Sequence, residues 1–246
     1  MENKTISLFG KSVKLPSHFG KRVSMTVIGT MICAFAVGFF KCSLFGVDPF
    51  QTFAQGIHIS FIDHFMAYGT YYMIISLLML IVDLFLDKHY MGLGTLINLF
   101  LTGYVVEFST NLINTYIPNP VLWQRVVMLL IGIVVMCFAS ALYMTSDMGV
   151  SVYDAIPIII SDRKKWPFRF CRIGTDIICV IIGSASILFV FGNFSKLFEY
   201  VGIGTIITAF FMGPLVDLFN RTIARPFLYG KAEAKKINEA DKHKKN

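Results

Sequence analysis

The sequence lacks the signatures of the common enzyme chemistries. It has no HExxH, no GxSxG and no paired Cys/His set, so metal-assisted hydrolysis and nucleophile-elbow chemistry have no residues to carry them. "GLGT" (Gly92–Thr95) lacks the lysine and the preceding strand of a phosphate loop. The five cysteines, Cys33, Cys42, Cys137, Cys171 and Cys179, show no CxxC or metal-ligand spacing. Cys33, Cys137 and Cys179 lie in apolar runs, where cysteine acts as a small hydrophobe. No enzymatic activity, cofactor or metal is expected. The N-terminus does not read as a secretory leader, because about 22 largely polar and basic residues precede the first apolar run and no small-residue cleavage pattern follows it. Charged residues make up only 15% of the chain.

Apolar residues are abundant instead. They form 55% of the 246 residues and the mean hydropathy is +0.66, against roughly 45–50% apolar content in soluble domains. Several runs approach the ~20 residues needed to cross hydrocarbon. Six spans are predicted, near Val23–Phe40, Thr70–Leu86, Gly92–Ile113, Leu122–Met144, Ile173–Phe191 and Val201–Phe219. "NTYIPNP" (Asn114–Pro120) is a turn-rich break. The segment 230–246 is charged and reads as a solvated tail, helical at best in part. Nineteen of the 22 Lys and Arg fall on one side of a six-span arrangement; Lys41, Arg125 and Lys196 are the exceptions. The positive-inside rule then puts both termini in the cytoplasm. The net charge of +7 comes with no nucleic-acid module. Anionic inner-leaflet lipid is the expected partner of the basic loop and tail.

The chain repeats itself. "GLGTLINLFLTGYVVE" (Gly92–Glu107) aligns without gaps on "GIGTIITAFFMGPLVD" (Gly202–Asp217), with seven of 16 positions identical. "FGVDPFQTF" (Phe45–Phe53) matches "MGVSVYDAI" (Met148–Ile156), and Gly69-Thr70 matches Gly174-Thr175. An odd number of spans per repeat makes the halves enter the membrane from opposite sides, an arrangement recurrent in transporters. The expected organisation is a basic segment 1–22, membrane repeat 23–113, external linker 114–121, membrane repeat 122–222 and cytoplasmic tail 223–246.

Each repeat carries a helix start just after its first span. Asp48 is placed as N-cap, with Pro49 at N1 and Gln51 at N3 reaching back to the cap; Ser151 and Asp154 hold the corresponding places. The helices that follow, to about Ser60 and Ser161, are too short to span. Two readings fit: surface helices, or re-entrant half-helices lining a cavity. Gly46, Gly92, Gly94, Gly149, Gly202 and Gly204 are read as structural, allowing tight helix approach.

Acids in spans are costly and informative. Asp176 is four residues from Arg172, Asp217 four from Arg221, and Asp83 lies near Lys88, so interfacial anchoring explains these three. Glu107 has no basic neighbour within a turn. Thr95, Asn98 and Thr102 share one helical face, which suits interhelical hydrogen bonding as well as a polar path. His58 and His64 are read as structural. The pathway candidates are Asp48, Gln51, Ser151, Asp154, Glu107, Asp217 and Asn98.

The doubled order of a glycine turn, Gly-Thr, then Gly-x-Gly-Thr with a following Gly and acid resembles the YczE branch of the YczE/YyaS/YitT membrane proteins. "ALYMTSDMGVSVYDAI" (Ala141–Ile156) and "GIGTIITAFFMGPLVDLF" (Gly202–Phe219) carry the resemblance, which covers about residues 20–225. It implies an all-α polytopic membrane fold, without the soluble C-terminal domain of YitT members. Asp48 stands where the family often has Gly, and Gln51 where it has Asp. Ser151 and Val152 replace the second turn's Gly and Pro, so the role of the turn acid carries only onto Asp154. The expected function is a small permease with its path between inverted repeats and an unassigned small-molecule or ion substrate. The alternative is a non-transporting scaffold or assembly protein.

Overall fold

In the computed structural model the chain is described over residues 5–8, 11–14, 17–87, 90–166 and 168–245. Six stretches are long and apolar enough to cross a membrane: Phe19–Ser43, Tyr68–Leu86, Leu93–Tyr116, Leu122–Ser146, Phe170–Phe191 and Leu197–Tyr229. Backbone polar groups in hydrocarbon must be satisfied within the segment, and the helix does this. We number the helices α1 (Phe19–Ser43), α2 (Pro49–Ile57), α3 (Tyr68–Leu86), α4 (Leu93–Tyr116), α5 (Leu122–Ser146) and α6 (Val152–Lys164). They continue as α7 (Phe168–Phe191), α8 (Phe194–Tyr200), α9 (Ile203–Phe219), α10 (Arg225–Tyr229) and α11 (Lys231–Lys245). A π-helical turn, His58–Ile62, extends α2, and another, Asn220–Ala224, joins α9 to α10.

α1 is the central post. It runs along both α5 and α4, and α5 in turn packs on α9. Small residues permit the close crossing: a Cβ on Gly29 would lie 2.9 Å from the Tyr143 backbone nitrogen, and one on Gly38 would lie 2.2 Å from Ser109 Oγ. Phe40, Val47, Phe50, Tyr72, Val106 and Met136 belong to the main buried cluster. Outward faces carry exposed Leu78, Ile81, Ile181, Phe210 and Phe211. An aqueous surface rarely shows so much contiguous apolar area, whereas lipid requires it.

The structure departs from the sequence reading in three places. Thr5–Leu8 and Lys11–Lys14 pair as an antiparallel hairpin ahead of α1, an addition to the all-α expectation. The unforeseen α8 precedes the last span. The tail forms α11 and is tied to the body: Ala234 is buried, while Asn238 donates to the Arg221 carbonyl at 3.2 Å and accepts from Arg225 at 2.8 Å. A low apolar content does not prevent docking when one alanine and one amide find partners.

Candidate functional site

The two glycine turns set the geometry. After α1, Leu44 takes a left-handed conformation (φ 56°) and Gly46 has φ 97°; after α5, Asp147 (φ 51°) and Gly149 (φ 111°) repeat the pattern. A left-handed conformation costs a non-glycine residue about 1–2 kcal/mol, which accounts for glycine at the second position of each turn. Each turn then crosses to the other half. The Gly204 N–H donates to the Phe45 carbonyl at 2.7 Å, and the Gly94 N–H donates to the Met148 carbonyl at 2.7 Å. Val47 N donates to the Tyr200 carbonyl (3.1 Å) and Val150 N to that of Tyr90 (3.3 Å). The backbones nearly touch: a Cβ on Gly202 would lie 2.4 Å from the Phe45 carbonyl oxygen, and one on Gly92 would lie 2.3 Å from that of Met148. Thr95 and Thr205 complete the starts of α4 and α9, each accepting at 3.2 Å from the N–H of the glycine three residues earlier. The repeated motif is therefore a pair of clasps, each made by a turn of one half and a helix start of the other.

α2 and α6 begin just inside these clasps. The Asp48 carboxylate accepts from Gln51 N (3.1 Å) and Ser151 Oγ from Asp154 N (3.2 Å), as N-caps do. Gln51 does not close the box. Its Oε1 accepts from the Tyr68 hydroxyl at 2.6 Å and from Gln55 Nε2 at 3.1 Å, because a buried amide finds a stronger partner across the interface than on its own cap. The first turns of α2 and α6 meet: Phe50 and Tyr153, equivalent by sequence, stack with centroids 4.6 Å apart and planes 12° from parallel.

Around that stack lies a partly buried ionic cluster. Arg172 pairs with Asp154 and, at 3.3 Å, with Asp176. Its guanidinium lies 4.6 Å from the Tyr153 ring centroid, a cation–π distance. Asp154 also accepts from Tyr143 (2.6 Å) and Ser151 (2.8 Å), and the Tyr153 hydroxyl donates to Asp176. Asp48 lies within electrostatic reach of Arg172, Asp176 and Asp154. Arg172, Tyr143, Tyr153 and Tyr68 were not among the sequence candidates. The one available signal was the arginine's i,i+4 spacing to Asp176, which reads equally well as an interfacial pair. Beside the cluster is a crevice of about 340 Å³, its walls including Phe50 and Phe53 of α2, Met79 of α3, Tyr153 and Ile156 of α6, and Thr175 of α7. Tyr153 and Thr175 belong to both crevice and cluster.

The other candidates lie elsewhere. Glu107 accepts the Gly69 N–H at 2.8 Å and so caps α3 from α4. Asp217 pairs with Arg221 at 2.8 Å and is half-exposed. Asn98 is half-buried one turn from Thr95 and makes no side-chain hydrogen bond among the described residues. Asp83 is fully buried, with neither oxygen partnered among the described residues, and the expected anchor Lys88 lies outside them. No group of three or more His, Cys, Asp or Glu is placed to hold a metal among the described residues.

Helices of this length and polarity, with apolar residues outward and polar ones gathered at a central seam, define a multi-pass α-helical membrane protein. Residues 20–221 match the model of DUF6198, a family of unknown function, and the chain belongs to that family. It is 27% identical over 205 residues to an uncharacterized protein of Haemophilus influenzae, covering 83% of this chain and 86% of that one. It is 22% identical over 210 residues to the uncharacterized membrane protein YczE of Bacillus subtilis, covering 80% and 88%. With YyaS of the same organism it shares 23% over 201 residues, covering 82% and 93%. The resemblance to YczE and YyaS seen in the motifs thus extends over most of the chain. No solved structure matches it.

Proposed function

We propose that this protein is a small permease of the bacterial inner membrane, built from two inverted three-span repeats with the solute path between them. The contact between Phe50 and Tyr153 carries the reading. Equivalent residues from the first turns of two short helices meet face to face, as residues beside a two-fold axis do. Three spans per repeat put that axis in the membrane plane. The basic residues put both termini in the cytoplasm, and Lys164, Lys165, Lys231 and Lys235, all exposed, meet anionic lipid there.

The two halves differ, and the difference supports movement. In the first, Glu107 holds the Gly69 N–H and a Cβ on Gly103 would lie 2.8 Å from the Gly69 carbonyl oxygen. In the second, the equivalent Gly174 and Gly213 face open space, and Asp217 turns to Arg221. With both termini inside, the closed pair lies toward the outer face and the open pair toward the inner face, which makes this an inward-open state. Exchange of the two arrangements gives the outward-open state: Asp217 takes the Gly174 N–H and Glu107 lets go of Gly69.

Three carboxyls around one guanidinium leave an acidic excess beside an apolar crevice whose walls include the rings of Phe50, Phe53 and Tyr153. A small organic cation suits that chemistry. The test is counterflow of a metabolite panel rich in organic cations in reconstituted vesicles. Asp154→Asn and Arg172→Gln should abolish flux, while Asn238→Ala should not. A solute carried equally well by wild type, Asp154→Asn and Arg172→Gln places the path elsewhere. The alternative is a scaffold acting through its basic loop and tail, favoured by the exposed lysines. The tie between Asn238 and the Arg221 carbonyl argues against a freely reaching tail.

A further inference from the structure

Asp83 differs from the other span and cap acids described above. Asp48 accepts from Gln51 N, Glu107 from Gly69 N, and Asp154, Asp176 and Asp217 pair with arginines. Asp83 is 0% exposed, yet neither oxygen has a hydrogen-bond partner among the described residues. An isolated carboxylate ion in such a place is strongly disfavoured; a neutral carboxylic acid is tolerated.

Among the described residues the surroundings offer little compensating charge; Lys88 and His89, which follow α3 in sequence, lie outside them. One turn earlier, Leu80 packs with Leu99 of α4 and Val152 of α6, bordered by Met79 and Met91. Just past the end of α3 Asp87 lies one turn on, an acid that cannot stabilise a second negative charge. From α6, Arg163 donates to the Leu86 carbonyl, and Asp162 accepts from Tyr90. Asp154 is held by Arg172. From α4, Glu107 is engaged at the far end of α3 with Gly69. From the π-helical turn, His58 bonds the Met66 carbonyl and lies 3.7 Å from Asp63, also at the far end. The polar atoms nearer in register are neutral. Ser76 is two turns up the same face of α3, and Thr102 lies beside Gly103, which abuts Tyr72; both hydroxyls are buried without partners among the described residues. Asn98 is half-buried one turn along α4 from Thr102.

We propose that Asp83 is an intramembrane proton-binding site: its carboxyl carries an exchangeable proton at the α3–α4 seam, at the end of α3 that Arg163 latches. The ligand is the proton itself, and the unpartnered hydroxyls of Ser76 and Thr102 extend the polar seam away from it. A role as coupling ion rests on the permease reading; the proton site does not, and its test uses no transport.

The test is labelling of the purified full chain in lipid with N,N′-dicyclohexylcarbodiimide, mapped by peptide mass spectrometry. A protonated carboxyl adds across the carbodiimide C=N bond, and the acyl group then migrates from oxygen to nitrogen, so the adduct retains every atom of both partners. The expected result is an adduct on Asp83 that declines as pH is raised and is absent from Asp83→Asn. Asp154 and Asp217, held by arginine, should stay unlabelled. Asp83→Asn, an isostere of the neutral acid, should melt close to wild type. An intact, folded protein with no adduct on Asp83 at acidic or neutral pH overturns the proposal. So does protection of Asp83 by sodium over choline at fixed pH, which makes it a metal-cation site. A large loss of stability in Asp83→Asn also overturns it, since that is the response of a severed ion pair.

Discussion

Replacing Gly46 by alanine tests the clasp between the halves more directly than any polar substitution. Gly46 has φ 97°, and an added Cβ would lie 2.5 Å from Gly202 N and 2.6 Å from Thr205 Oγ1. The left-handed conformation costs about 1–2 kcal/mol. Overpacking a tight contact costs about 1–3 kcal/mol, and here the nearest atom is backbone, which cannot rotate away. Loosening the 2.7 Å bond from Gly204 N to the Phe45 carbonyl forfeits about 1 kcal/mol more. The total is roughly 3–6 kcal/mol if the contributions add, a large share of the stability of any domain. The assay is denaturant titration in mixed micelles, with Gly213→Ala as the matched control. Gly213 has nothing within 4 Å and lies within α9 ahead of Pro214; alanine gains helix preference and gives some of it back to the Cβ contact with the proline ring, so the change should stay within about 1 kcal/mol of zero. Gly149→Ala, at the second clasp (φ 111°, Gly92 N at 2.7 Å), should lose about as much as Gly46→Ala. If Gly46→Ala unfolds together with Gly213→Ala, the cross-half clasp is not formed and the duplicated architecture loses its joint.

Arg172→Leu strands Asp154 and Asp176. Removing one member of a buried pair costs about 3–5 kcal/mol, and because the Arg172 side chain is 33% exposed the low end is expected; adding Asp154→Asn should recover part of it, read by the same titration. Glu107→Leu leaves the Gly69 N–H without its acceptor and should cost about 1–3 kcal/mol, whereas Glu107→Gln, which still accepts, should cost little. In a background without native cysteines, Gly174→Cys with Gly213→Cys should form a disulfide only when the second half closes, and should trap flux at zero; a pair that never cross-links contradicts the exchange of states. Reporter fusions after residue 18 and residue 246 should both report the cytoplasm, and one within 117–120 the outside.

The spans were legible because lipid imposes one rule, a run of about 20 apolar residues, and each run here meets it. The clasps were half legible. The alignment of Gly92 with Gly202 and of Gly46 with Gly149 marked positions where a side chain is excluded. It could not say that Gly46 meets Gly202 rather than Gly92, because spacing along the chain carries no information about which half a turn reaches. The ionic cluster was the least legible. Asp154 and Arg172 are 18 residues apart, across a helix and a turn, and no periodicity joins them. Glu107 was half legible for the opposite reason. A lone acid in an apolar run stands out by itself, but nothing in the spacing names its partner, the Gly69 N–H at the start of α3.

The asymmetry of the halves has a source in small residues. α2 lies tightly on α7 because Gly56 meets Gly183; a Cβ on Gly56 would lie 2.7 Å from the Gly183 carbonyl oxygen. Carried across by the alignment, that contact would join α6 to α3 through Ile159 and Leu78, two bulky residues, and Leu78 is 58% exposed. The α6–α3 pair cannot close to the same distance, whatever state the protein is in. α2 is therefore fastened to the second half, while α6 has more freedom against the first. The polar partners follow the same division. Gln51 makes neutral bonds to Tyr68 and Gln55, and its counterpart Asp154 makes ionic ones to Arg172. A neutral, tightly packed first turn suits a fixed wall. An ionic one can exchange partners, because a charge leaving one counter-ion gains from another or from an incoming cation. In the proposed cycle α6 is accordingly the moving element, with Asp154 as the group that changes hands.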